Sequence, residues 1–128
     1  MSDARKSKKV LVVEDDKAIR RSYVDMLKKE GYKIFEAADG KHGLELALAK
    51  KPDVILLDLL MPEMGGQALL DELRKDEWGE KAKVIVLTNF DKPRPIFETM
   101  VQHKAENYLV KANTSMKQLA LYVQLAAG

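Results

Sequence analysis

The 128-residue chain contains no cysteine, which excludes disulfides, thiolate metal ligation and thiol redox chemistry. Aromatic residues make up only 6%, with a single tryptophan. They are not interleaved with basic residues along any helical segment, so no recognition helix for DNA can be read. The two histidines, His42 and His103, have no acidic or basic constellation around them in the sequence, and surface or packing roles are expected for both. No apolar run approaches the ~18 residues of a membrane span. The first nine residues carry Arg5, Lys6, Lys8 and Lys9 but lack the apolar core of a signal peptide. They read as a solvated, flexible basic leader over 1–8, ahead of one folded domain over 9–128. A cytoplasmic protein is expected, with no membrane partner and no direct contact with nucleic acid.

What is present is ordinary in amount and informative in order. Hydrophobic residues are 46% and charged residues 33%, with a net charge of +2. The length is enough to bury a core without metal or disulfide staples. Three continuous apolar runs, over 10–13, 54–57 and 83–87, fit strands covered on both faces. A more polar run over 32–36 suits an edge strand, and 108–110 a short fifth one. Between them lie helical patterns. Ile19, Tyr23, Met26 and Leu27 form a stripe over 17–29, with Asp16 placed to cap it and Gly31 to stop it. Leu44, Ala47 and Leu48 mark a second helix over 41–49, ended by Pro52. Leu69, Leu70 and Leu73 mark a third over 67–75. Pro93 and Pro95 open a fourth, whose stripe is Ile96, Met100 and Val101. Met116, Leu119, Val123 and Ala126 mark a fifth over 115–126, capped by Thr114 or Ser115. Five strands alternating with five helices predict an α/β fold with right-handed crossovers: one doubly wound five-stranded parallel sheet, order 2-1-3-4-5, flavodoxin-like.

Such sheets carry their ligands at the carboxyl ends of the strands, and four signals fall there. The first strand ends in Glu14 and Asp15, the third in Asp58, the fourth in Thr88, and Lys111 follows the fifth. Asp16 reads better as a helix cap than as a ligand. Asp58 interrupts an otherwise apolar run, Ile55-Leu56-Leu57 before it and Leu59-Leu60-Met61 after it, where an idle charge would be costly. Three carboxylates in one pocket call for a cation, and hard oxygen donors favour Mg²⁺. A metal there would offset repulsion between Asp58 and an incoming phosphoryl group, making Asp58 a plausible nucleophile. Thr88 could donate a hydrogen bond to that group and Lys111 a point charge.

The stretches VVEDD over 12–16, DLLMPEMGG over 58–66, VLT over 86–88 and YLVK over 108–111 together resemble the receiver domain of two-component response regulators, across essentially 9–126. The resemblance implies phosphorylation of Asp58 by a sensor histidine kinase or a histidine phosphotransfer protein. It implies Mg²⁺ at Glu14, Asp15, Asp58 and the carbonyl of Leu60, with Asp15 a direct ligand and Glu14 often acting through water. It implies that Lys111 contacts the phosphoryl group, and that Thr88 and Tyr108 act as the switch. That switch would alter the face formed by the fourth helix, fifth strand and fifth helix, where a downstream protein or a second copy docks. Such a protein catalyses its own phosphorylation and dephosphorylation, yet is chiefly a signalling component.

Several residues depart from the family pattern. Ala112 stands where a proline, often preceded by a cis bond, usually follows the lysine, and a non-proline cis bond costs about 2.5–4 kcal/mol. A trans bond is expected to move Lys111 or loosen its loop. Asn89 replaces a smaller residue, Lys104-Ala105 a common Gly-Ala, and Leu60 and Phe90 flank the water path with apolar side chains. A long-lived phosphoryl state is expected. Two other classes stay open: a pseudo-receiver that binds partners without phosphorylation, and an aspartate-nucleophile Mg²⁺ phosphatase. The second needs an acid two residues after Asp58, where Leu60 stands. A flavodoxin-like FMN site is disfavoured, because Asp15 and Asp16 would repel its phosphate.

Overall fold

Runs of β-branched and aliphatic residues become β1 (Lys9–Val13), β3 (Val54–Asp58) and β4 (Val84–Thr88), flanked by the more polar β2 (Lys33–Ala37) and the short β5 (Asn107–Val110). The computed structural model describes residues 8–59, 65–88 and 105–128. Its sheet is wholly parallel, in the order β2-β1-β3-β4-β5. The helices are α1 (Lys17–Lys29), α2 (Gly40–Lys50), α3 (Gly66–Lys75) and α4 (Met116–Ala127), the last being the fifth helix of the sequence pattern. The predicted fourth helix, with Ile96, Met100 and Val101, lies outside the described residues, as do the leader over 1–7, Leu60, Asn89, Phe90 and His103. Among the described residues no helix is long and apolar enough to cross a membrane.

Local chemistry sets the helix ends. Asp16 accepts from the Ile19 N–H at 3.0 Å and caps α1. Gly31 follows with φ 99°, a left-handed turn that glycine adopts without penalty. Of the two candidates at α4, Ser115 is the cap, in a reciprocal capping box with Gln118.

The core splits by strand parity into two clusters. Val10, Val12, Val54, Leu56, Ile85, Leu87 and Leu109 face α1 and α4, packing on Tyr23, Leu27, Leu119 and Val123. Leu11, Val13, Ile55, Leu57, Val84 and Val86 face α2 and α3, packing on Ala47, Leu69, Leu70 and Leu73. Both faces of the central strands are therefore covered, which is why they read as unbroken apolar runs.

Two stripe residues differ from expectation. Leu48 is exposed at 37% because α2 buries small residues instead, Gly40, Gly43 and Ala47. A Cβ on Gly43 would lie 2.9 Å from Val13 Cγ1 and 3.0 Å from Leu69 Cδ1, so α2 presses closely on β1 and α3 and turns Leu48 outward. Met116, the first residue of α4, is exposed at 40% and lines a groove between α4 and the end of α1 with Met26 and Glu30. In α3 and α1 the expected stripes are buried or half-buried as read.

His42 is not isolated as its sequence neighbourhood suggested. Asp39 caps α2 by accepting the His42 N–H at 2.8 Å, and its other oxygen lies 2.7 Å from the His42 ring nitrogen Nδ1. This contact and the carboxylate's field raise the His42 pKa above its ordinary 6.5. The pair's contribution to stability is therefore complete below pH 6.5 and fades as pH rises through the higher folded value. An NMR titration of the imidazole should give a midpoint above 6.5 in the wild type, and Asp39→Ala should move it back down.

Candidate functional site

Strand parity, which divides the core, also sorts the site. Glu14 continues the Val10–Val12 alternation, Asp58 that of Val54 and Leu56, and Lys111 that of Leu109; all three belong to the α1/α4 side. Thr88 continues Val84 and Val86 toward the other side, where Tyr108 also packs. Because β1 and β3 are neighbours and strand order reverses between them, Glu14 and Asp58 emerge side by side.

Carboxylate oxygens of Glu14, Asp15 and Asp58 all lie within 4.8 Å of one another. Glu14 and Asp58 are buried, at 2% and 4% exposure, while Asp15 is open to solvent. Among the described residues, Lys111 is the cation that answers them. Lys111 Nζ donates to Glu14 Oε1 and sits 3.5 Å from Asp58 Oδ2. Glu14 Oε2 accepts the Asp16 N–H at 3.2 Å, so both Glu14 oxygens are engaged by the protein, whereas Asp15 faces outward. That asymmetry suits Asp15 and Asp58 to hold a cation directly and Glu14 to act one layer out.

Electrostatics follow from this crowding. Burial opposes the charge of Lys111. Its hydrogen bond to Glu14 and the fields of Asp58 and Glu14 outweigh that effect and hold its pKa above 10.5. The contribution to stability is present below 10.5 and lost only as pH rises through the raised value. For Asp15, burial also works against ionisation, but hydrogen bonding to Glu14, Asp58 and its own backbone, with help from Lys111, brings its pKa below 3.8.

The connection after Lys111 contains no cis peptide, and Lys111–Asn113 forms a 3-10 turn. A trans bond before Ala112 was expected to displace the lysine or loosen its loop. Instead, Thr114 Oγ1 donates to the Val110 carbonyl at 2.9 Å and closes the turn, and Lys111 reaches both acids. Thr88 is fully buried at the end of β4. Tyr108 is half-buried and pairs in register with Val86, one pleat below Thr88 on the same face. Leu60 lies outside the described residues.

Two contributors were invisible as such in the sequence. Arg20 donates to the Glu14 carbonyl at 2.8 Å and to Glu36 at 3.1 Å, tying α1 to β1 and β2. Tyr23, read only as a stripe residue, is buried close enough to Lys111, Glu14 and Asp58 to feel their charges, while burial raises its pKa above 10. The spacing from the Asp16 cap, which lays the first two turns of α1 over the acids, is the signal that could have found them.

The family follows from this geometry together with sequence similarity. The model of the response regulator receiver domain matches residues 10–124, and the chain belongs to that family. It is 36% identical to the transcriptional regulatory protein PdtaR of Mycobacterium tuberculosis over 128 residues, which is 99% of this chain and 60% of that protein. The chain thus spans well under two thirds of that relative. Among solved structures, chemotaxis protein CheY4 of Vibrio cholerae matches with a TM-score of 0.85 and 28% identity, covering 93% of this chain and 98% of that one. The receiver domain of sensor histidine kinase PA1611 from Pseudomonas aeruginosa PAO1, solved with a magnesium ion coordinated in its active site cleft, matches with a TM-score of 0.82 and 28% identity, covering 94% and 98%.

The backbone around Asp58 depends on one close approach. A Cβ on Gly66 would sit 2.3 Å from the Asp58 carbonyl oxygen and 2.7 Å from Leu59 Cα, both backbone atoms that cannot swing away. Gly66→Ala should cost about 2 kcal/mol or more in urea unfolding, despite alanine's better helix propensity, and should also disturb the NMR shifts of Asp58 and Leu59.

Proposed function

We propose that this chain is a phosphorylation switch, in which a sensor histidine kinase or histidine phosphotransfer protein donates a phosphoryl group to Asp58 with the help of Mg²⁺. The observation that carries this reading is the single lysine lodged between Glu14 and Asp58 in a three-carboxylate pocket at the sheet's reversal point. A merely structural ion pair needs one acid; three in contact leave charge for a second cation. The donor set is all hard oxygen and half open to solvent, which fits Mg²⁺ better than a softer ion. Asp15, Asp58 and the Leu60 carbonyl would hold it, with Glu14 behind, and it would neutralise charge on the phosphoryl oxygens.

The chain's own residues carry the rest. An Asp58 carboxylate oxygen forms the new bond to phosphorus as the P–N bond to the donor imidazole breaks. The imidazole nitrogen keeps the electron pair and takes up a proton. Lys111, already charged and 3.5 Å from Asp58, compensates the added negative charge. Thr88, fully buried, donates its hydroxyl to a phosphoryl oxygen, and the space it leaves draws Tyr108 inward on their shared face. That movement would change the surface formed by the segment over 91–101, β5 and α4, for a downstream protein or a second copy. The apolar Leu60 and Phe90 leave no side chain to orient water, so the phosphoryl state should persist. A cytoplasmic setting suits such a donor.

Intact mass after incubation with Mg²⁺ and acetyl phosphate tests the proposal. Wild type should gain one phosphoryl group only when Mg²⁺ is present, and the adduct should decay slowly after the donor is removed. Asp58→Ala should gain none, and Lys111→Met should accumulate adduct at least about tenfold more slowly. A wild type that takes up nothing from this donor or from a phosphorylated histidine phosphotransfer protein would favour the pseudo-receiver reading.

A further inference from the structure

The first turns of α1 lay a guanidinium against the backbone of the acidic loop. Glu14 stands one residue past the end of β1, and its N–H still donates to the Ala37 carbonyl at 3.1 Å, on the side of β2. In extended backbone a residue's carbonyl points to the same side as its N–H. β2 ends at Ala37, so the ladder stops there. Arg20 Nη1 donates to the Glu14 carbonyl instead, at 2.8 Å. The same guanidinium reaches Glu36 Oε1 through Nε at 3.1 Å. Both backbone groups of Glu14 are therefore held from the last two residues of β2, one directly and one through Arg20.

An ion pair at the surface contributes little by itself. What Arg20 does that an ion pair need not do is span two acceptors. A guanidinium presents its donors in a fixed planar fork, so one is committed to a carboxylate while another holds a carbonyl. The Arg20 side chain is 15% exposed, against 49% for Glu36, so the fork lies on the inner side of the pair. Arg21 makes the contrast. Its side chain is 78% exposed and lies 3.9 Å from Asp25, one turn further along the same helix.

We propose that Arg20, steadied by Glu36, is a positioning residue for the metal site, acting through the backbone. The inference rests on the Mg²⁺ reading above. The Glu14 carbonyl belongs to the peptide that joins Glu14 to Asp15. Fixing that peptide plane fixes the direction in which the Asp15 side chain leaves the chain. Asp15 has the greater need of it. Glu14 is buried and held on both oxygens, by Lys111 and by the Asp16 N–H, whereas Asp15 is open to solvent. Its carboxylate still stands within 4.8 Å of those of Glu14 and Asp58, and ionised carboxylates so close repel one another. A loop left loose would relieve that repulsion by carrying Asp15 outward. Groups that orient metal ligands commonly govern affinity by about 10–100-fold. The sign of the effect separates positioning from simple charge. A cation beside the pocket repels a divalent ion, so by its field alone removing Arg20 would tighten Mg²⁺ binding. By positioning, its removal weakens binding.

Amide NMR shifts of Asp15 and Asp58, followed while the full chain is titrated with MgCl₂, measure the affinity without any phosphodonor. Arg20→Met should raise the Mg²⁺ midpoint at least about tenfold. Arg20→Lys keeps the charge but not the fork, and should raise it severalfold; it carries the test if Arg20→Met does not fold. Glu36→Ala should also raise the midpoint. Combined with Arg20→Met it should add nothing further, because the two side chains act as one unit. Arg21→Met removes an equal charge from the same helix and should leave the midpoint where it is. Circular dichroism of each metal-free variant should match the wild type. An Arg20→Met midpoint equal to or below that of the wild type, or full affinity in Arg20→Lys, would overturn the inference and leave the Mg²⁺ reading intact. A wild type without any Mg²⁺-dependent shift at Asp15 or Asp58 would instead overturn that reading, and the inference with it.

Discussion

Among the described residues, three carboxylates meet one ammonium group at the carboxyl edge of this sheet, and the surrounding structure is arranged around that imbalance. Bringing Glu14 and Asp58 together is a consequence of topology. Both end strands of the same parity, and those strands are neighbours at the point where the winding reverses. Burying two carboxylates costs free energy unless a cation or a proton accompanies them. Lys111 offsets part of that cost, and the trans peptide and closed turn after it hold its side chain in reach. The remainder is the charge that the proposed divalent ion would neutralise.

The site is divided across the two faces of the sheet. The acids and Lys111 stand above the cluster packed by α1 and α4. Thr88 and Tyr108 stand on the other face, above the cluster packed by α2 and α3. Under the proposed phosphorylation, a group added to Asp58 would be felt on one face through Lys111 and on the other through the hydroxyl of Thr88. Close helix packing at Gly43 and Gly66 keeps the frame stiff, so a local change in hydrogen bonding is taken up by side chains rather than absorbed by backbone drift.

Sheet order, strand limits to within a residue or two, and the meeting of Glu14, Asp15, Asp58 and Lys111 at one edge were legible in the sequence. They rest on unbroken apolar runs and on charges placed at their ends, and both signals are local. Leu48 and Met116 were misread because a stripe of large residues was assumed, where α2 buries glycine and alanine and the buried face of α4 begins at Leu119. The Asp39–His42 contact is three residues long and could have been read; it escaped because the capping role of Asp39 was not considered. Arg20 and Tyr23 at the site were missed because only their spacing from the Asp16 cap hints that they reach the acids. Their proximity depends on how helices and strand ends meet in space. The effect of Ala112 was overestimated, since Thr114 supplies a closure that the single substitution did not reveal.

The central claim is that the pocket is overcharged in its resting state and completed by a divalent cation. It is tested most directly by thermal unfolding of the wild type and Asp58→Asn, each with and without Mg²⁺. If the claim holds, Asp58→Asn is more stable than the wild type without metal, because it loses a repelling charge while Glu14 keeps Lys111. Mg²⁺ then raises the wild-type midpoint by several degrees and the variant's far less. A variant less stable than the wild type without metal, with an undiminished response to Mg²⁺, would contradict it.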